Sequence, residues 1–185
     1  VWSSDTQPWY QSAALWLAFQ LVPGWKPPPD GLEYQSTDNL EILRAMGSDP
    51  FVLKDARVDA LKGLVNLMDR AYAAAFHLNI PTLLLYGEKD ELVPPEPVAI
   101  FWNNVPKGPN KRAAVYEQGW HLLTRDLQAR RVMEDILAWI LAPRAPLPSD
   151  ADRRADAYFV KYLPEGDQPQ QQVANMSGRG LQLAK

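Results

Sequence analysis

Two kinds of apolar pattern alternate along the chain. From about Arg57 to Ala75, Val58, Leu61, Leu64 or Val65, Met68 and Tyr72 recur every three or four residues, which predicts an amphipathic helix. Val132, Met133, Ile136, Leu137, Ile140 and Leu141 form a double row at the same helical spacing and predict a second long helix. Between them lie two short runs of another kind. Asn79–Tyr86 carries Leu83, Leu84 and Leu85 in direct succession, as a strand covered by helices on both faces requires. Arg112–Glu117, RAAVYE, reads as a second short strand. Pro94, Pro95 and Pro97 open a helix over about Glu96–Asn104, because proline suits a first turn whose N–H groups have no helical partner.

Ahead of these elements, Pro8 to about Asp55 is helical in pieces and is broken by PGWKPPPDG. Leu15, Phe19 and Val22 share one helical stripe, with Trp16 beside it. Asp38 followed by Glu41 resembles a capping pair, and Gly47 is a stop signal. Beyond Pro143 the chain turns rich in Pro, Gln and charge. That composition predicts a flexible tail over 143–185, with one docking segment at Tyr158–Leu163. No internal repeat is visible.

Composition narrows the function classes. The 185 residues suffice for one ordinary domain or part of a larger one. A net charge of -3 gives no general attraction for nucleic acid or an anionic membrane. Without cysteine there is no disulfide, thiolate metal site or thiol nucleophile, and two histidines argue against a His-rich metal site. No metal or organic cofactor is expected. The longest apolar stretch, Ser12–Val22, falls short of the about 20 residues of a spanning helix. The start at Val1 lacks an initiator Met, a basic region and a signal-like core. These features predict a soluble, cytoplasmic chain whose beginning is missing.

Candidate chemistry gathers behind the strands. Gly87 ends the first one, and Glu88, Lys89, Asp90 and Glu91 crowd just beyond, at the rim where open α/β sheets collect ligands. The second strand is followed by Gly119-Trp120-His121. Asp90 and His121 are 31 positions apart, close to the about 30 residues of a βα unit. If the strands are parallel neighbours, both side chains emerge on one rim. A carboxylate there can fix the imidazole tautomer and leave the other ring nitrogen free as a base. On spacing alone Asp90 competes with a plain solvated-turn reading, and His121 with an ordinary half-buried histidine. His77 suits a helix end, where a cationic ring complements the dipole. Arg125, Asp126 and Arg130 read as a solvated helix start.

PTLLLYGEKDELVP followed by VYEQGWHLLTRDL resembles the C-terminal half of an α/β-hydrolase, and more closely the monoacylglycerol lipase and lysophospholipase branch of serine hydrolases. DPFVLKDARVDALKGLVNLMDRA resembles the return from that family's lid into its core. The likeness runs from residue 1 to about 142. It implies a helical lid over 1–57, a core portion over 58–142 with the last two parallel strands and their helices, Asp90 as the triad acid and His121 as the triad base. Trp9, Tyr10, Trp16, Phe19 and Trp25 are then lid core, or else line an acyl-chain cavity or touch a lipid surface. Leu122 and Leu123 become candidates for the wall of that cavity. The implied substrate is a small lipid-like ester.

One part of the pattern is missing. The family's nucleophile elbow, Gly-x-Ser-x-Gly, occurs nowhere in the chain; the nearest strings, MGSDP at Ser48 and MSGRG at Ser177, follow no strand. The expectation is therefore a truncated hydrolase, inactive alone, with Val1-Trp2 closing the strand that precedes the lid. A different class stays open: a non-catalytic module pairing through an exposed sheet edge. So do other activities on the same fold, such as peptidase, epoxide hydrolase or acyltransferase.

Overall fold

The computed structural model describes residues 8–28 and 34–164. Its centre is a pair of parallel strands, β1 (Thr82–Gly87) and β2 (Lys111–Tyr116), in register from Thr82 opposite Lys111 to Gly87 opposite Tyr116. Around them lie α1 (Trp9–Leu21), α2 (Leu40–Ser48), α3 (Val58–Ala73), α4 (Pro95–Asn104), α5 (Ala129–Leu141) and α6 (Ala151–Val160). A short 3-10 turn, Ala74–His77, continues α3. β1 starts at Thr82, later than the apolar pattern suggests, since Pro81 can donate nothing to a ladder. Lys111 instead caps the carbonyls of Leu78 and Ile80 ahead of the strand.

Strand alternation sorts the core into two layers. Ala113 and Val115 of β2, with Tyr86 of β1, face Val98, Ala99 and Trp102 of α4 and Ala155 and Phe159 of α6. Ala114 and Tyr116 face the other way, toward Leu123, Val132 of α5, Leu147 and Ala151. This is the parallel α/β arrangement that the continuous apolar runs imply.

The segment after Pro143 departs from expectation. Leu147, Ala151, Ala155, Phe159 and Leu163 are all buried, so residues up to 163 belong to the core and not to a flexible tail. They repeat every four residues, a row that starts at Leu147 ahead of α6, runs through Ala151, Ala155 and Phe159 of the helix and ends at Leu163 beyond it. Because α6 supplies Ala151 to one layer and Ala155 to the other, it runs along the outer side of β2 and covers that edge. The expected docking segment Tyr158–Leu163 is the end of this row. Residues 165–185 lie outside the described part.

Smaller details also emerge. The cap of α2 is Asn39, whose side-chain oxygen accepts from the N–H groups of Glu41 and Ile42; Asp38 instead accepts from the distant Leu127 N–H at 2.8 Å, and α2 runs through Gly47 to Ser48. On α5 only one of the two apolar rows is covered: Val132 is buried and Ile136 and Trp139 pack beside it, while Met133, Leu137, Ile140 and Leu141 face outward. On α1, which packs against α3, Phe19 and Val22 are exposed and Leu15 is half-buried, so the predicted stripe is not a core face.

Candidate active site

The site is built by two glycines. Gly87 ends β1 and Gly119 follows β2, and their backbones touch: a Cβ on Gly87 would lie 2.5 Å from the carbonyl carbon and oxygen of Gly119. Only residues without side chains permit that approach. Two backbone hydrogen bonds then cross between the loops, and two more close the turns, one within each. Glu88 N–H and Gly119 N–H both donate to the Tyr116 carbonyl at 3.0 Å, Lys89 N–H to Gly119 at 2.9 Å, and Asp90 N–H back to Gly87 at 3.2 Å. The Lys89 ammonium lies 5.7 Å from the centre of the Trp120 ring, adding a cation–π contact across the gap.

This interlock carries Asp90 and His121 to one rim. Asp90 Oδ1 accepts from the N–H groups of Leu92 and Val93, both at 2.9 Å, which pins the carboxylate in an Asx turn. Oδ2 is then directed at His121 Nδ1, 2.9 Å away. The Asp90 side chain is 7% exposed and that of His121 35%, so the acid is enclosed and the ring reaches outward. Burial pushes the Asp90 carboxyl up, but the hydrogen bonds from His121, Val93 and Leu92 and the charge of His121 outweigh it, leaving the group below its ordinary value. The hydrogen bond to Asp90 raises the imidazole pKa of His121, against the opposing effect of burial. With the carboxylate ionised, Nδ1 carries the shared proton and Nε2 keeps its lone pair.

Further contacts hold the two loops from the N-terminal part of the chain. The segment 35–39 lies across both: Gln35 N–H donates to Glu91 Oε2 at 2.7 Å, Ser36 carbonyl accepts from Leu122 N–H at 2.9 Å, and Asn39 Nδ2 donates to the Arg125 carbonyl at 3.2 Å. Thr37, in its middle, is fully buried. Asp126 corrects the solvated-helix reading given above: it is 3% exposed, and its Oδ2 accepts from Trp120 N–H at 2.8 Å, fixing the backbone just before His121. No local spacing marks these long-range ties, so sequence reasoning passed over them.

Of the six candidate side chains, the structure brings together Asp90 and His121. Leu123 is buried against Gly119 and the α5 layer, where it supports the turn and presents no wall to a cavity. Leu122 beside it is half-buried. Trp16 and Phe19 stand on α1, 55% and 37% exposed. Among the described residues, no three His, Cys, Asp or Glu side chains are grouped to hold a metal ion, and no helix is long and apolar enough to cross a membrane.

Comparisons with known proteins bear on the fold that carries this site. Residues 1–128 match the sequence model of the family Hydrolase_4, described as serine aminopeptidase, S33. Among solved structures the chain is similar to the monoacylglycerol lipase of Paleococcus ferrophilus, with a TM-score of 0.62 at 20% identity. That likeness covers 77% of this chain and 55% of the lipase, so the chain spans little more than half of the lipase's length. At this identity the likeness speaks for fold. A comparison with curated proteins gives no significant match. With well over half of its residues inside the family match, and with parallel strands that end in the Gly87 and Gly119 turns, the chain belongs to the Hydrolase_4 family and has part of an α/β-hydrolase fold.

Proposed function

We propose that Asp90 and His121 are the acid and base of a serine-type carboxylic ester hydrolase for lipid-like esters such as a monoacylglycerol or lysophospholipid. The single observation behind this reading is the 2.9 Å bond from Nδ1 to a carboxylate locked by two backbone N–H groups. In such a reaction Nε2 takes the proton of a serine hydroxyl as the oxygen attacks the acyl carbon. It later passes that proton to the departing alcohol, while Asp90 steadies the imidazolium. The serine and the oxyanion donors are expected outside these 185 residues, since the chain carries no Gly-x-Ser-x-Gly. The chain alone, with a base and no nucleophile, is therefore expected to turn over no ester.

The lipid-like substrate is supported by the lipase likeness and by α1, whose Trp9, Tyr10, Trp16, Leu17 and Leu21 are exposed as a lid over an apolar substrate would have them. The family's printed description favours a second reading, an aminoacyl amide substrate on the same acid and base. The longer protein that both readings require separates them. Expressed with a Gly-x-Ser-x-Gly region ahead of Val1, it should hydrolyse a monoacyl ester far faster than an aminoacyl p-nitroanilide, and His121→Ala should abolish turnover. A preference for the anilide overturns the ester reading. A coding sequence without such a motif sinks both, as does turnover that survives His121→Ala.

A further inference from the structure

We infer that Arg154, on α6, is a positioning residue for the Asp90–His121 pair. One terminal nitrogen of its guanidinium binds Glu88 Oε1 and the other binds Glu117 Oε1. Glu88 stands two residues before Asp90 and Glu117 four residues before His121, so one side chain ties together the two loops that must face each other. A planar fork with fixed donor directions can set the spacing of two carboxylates, which a single ammonium cannot. The fork has a rigid base: Ala151, Ala155 and Phe159 of the same helix are buried. Tyr86, packed against Tyr158 and Phe159 of α6, donates its hydroxyl to the Val93 carbonyl at 2.8 Å, so α6 also supports the far side of the Asp90 turn. Arg154 lies beyond the residues that match the family, while Glu88 and Glu117 lie within them.

Arg154 and Glu117 are partly exposed, 39% and 64%. Exposed ion pairs add little to stability, so the effect is expected in the geometry of the site and not in the melting temperature. The inference rests on reading Asp90 and His121 as a working pair. Its test measures the pair's geometry and not turnover, so the two can fail separately.

The test uses the full 185-residue chain, labelled with nitrogen-15, and compares the parent with Arg154→Gln and Arg154→Lys. The chain has only two histidines, and exposed His77 on the far side of β1 serves as internal reference. Arg154→Gln should remove the low-field Nδ1 proton signal of His121 and speed amide exchange at Leu92 and Val93 about tenfold. It should also lower the His121 titration midpoint by about half a unit, as the bond to Asp90 loosens. Arg154→Lys should restore only part of each change. Besides Asp90, the charged residues of the two loops are Glu88, Lys89 and Glu91 on the first and Glu117, Arg125 and Asp126 on the second. Loss of the Arg154 charge alone, with the loops unmoved, leaves Glu88 and Glu117 uncompensated and raises the midpoint. A raised midpoint with the Nδ1 signal intact therefore overturns the inference, as does no change. Should Arg154→Gln fail to fold, the double variant Glu88→Gln/Glu117→Gln, which leaves α6 and its packing alone, decides by the Nδ1 signal and amide exchange.

Discussion

Gly87 and Gly119 meet backbone to backbone at the ends of the two strands: a Cβ on either would lie within 3.0 Å of an atom belonging to the other. Their contact sets the separation of the loops, and every distance at the candidate site depends on it. Gly87→Ala brings a methyl group to 2.5 Å from the Gly119 carbonyl and 2.6 Å from that of Trp120, both backbone atoms that no rotamer can move. The loops must part, at a cost of about 3 kcal/mol. Thermal unfolding of Gly87→Ala should show that loss together with weakening of the Nδ1 proton signal of His121. A variant as stable as the parent, with the signal unchanged, would mean the contact is not tight.

The Asp90–His121 bond gives stability a defined pH window. The His121 pKa is raised on folding, so its contribution is complete below the ordinary value of 6.5 and fades as pH climbs through the folded value. The Asp90 pKa is lowered, so its contribution is complete above 3.8 and fades as pH falls through the folded value. Both are whole between 3.8 and 6.5. The stability difference between the parent and His121→Gln, measured by urea unfolding across pH, should therefore be greatest in that interval and shrink toward alkaline pH. A difference that grows above pH 7 reverses the sign and rules out the bond as its source. In the proposed reaction the same raised pKa moves the acid limb of the rate profile upward, since only the neutral ring accepts a proton.

Asp135 is a buried carboxylate with a structural task. Wholly enclosed on α5, it accepts the Tyr116 hydroxyl at 2.8 Å and the Ser149 N–H at 3.0 Å, and Ser149 Oγ donates to it as well. Burial, with the hydrogen bond and the charge of Asp135, drives the Tyr116 hydroxyl pKa well upward, so it stays a donor at any working pH. Asp135→Ala strands three donors at once and should cost about 3–5 kcal/mol, whereas Tyr116→Phe removes one and should cost about 1–2 kcal/mol. Equal losses in denaturant unfolding would show that the carboxylate serves Tyr116 alone.

How much of this was legible in the sequence depends on the range of each interaction. The leucine run of β1 and the three-and-four spacing of α3 are local patterns, and both elements form where those patterns lie. Asp90 and His121 were legible because a βα unit converts a sequence gap into a spatial neighbour. Asn39 displaced Asp38 as the cap of α2 because Asp38 is engaged by Leu127, 89 positions away, a tie no window could contain. The outward row of α5 was unpredictable for a related reason: hydrophobic spacing says that a face seeks cover, and what covers it lies elsewhere in the fold.

The α6 row was concealed by its own composition. Leu147, Ala151, Ala155, Phe159 and Leu163 repeat every four residues, but two of the five are alanines and charged residues fill the gaps, so an average over the segment reads as polar. Alanine suits this place because β2 presents Ala113 and Val115 beneath it, and small residues on both sides bring helix and strand close. Phe159 then fills the space beside Tyr86, 5.9 Å between ring centres. Phe159→Ala should cost about 3–4 kcal/mol through the cavity it leaves. Ending the chain after residue 142 removes the whole row and uncovers β2, so that shortened chain should lose cooperative unfolding altogether. Were residues 143–163 a loose tail, the shortened chain would melt as sharply as the parent, and calorimetry of the two distinguishes these outcomes.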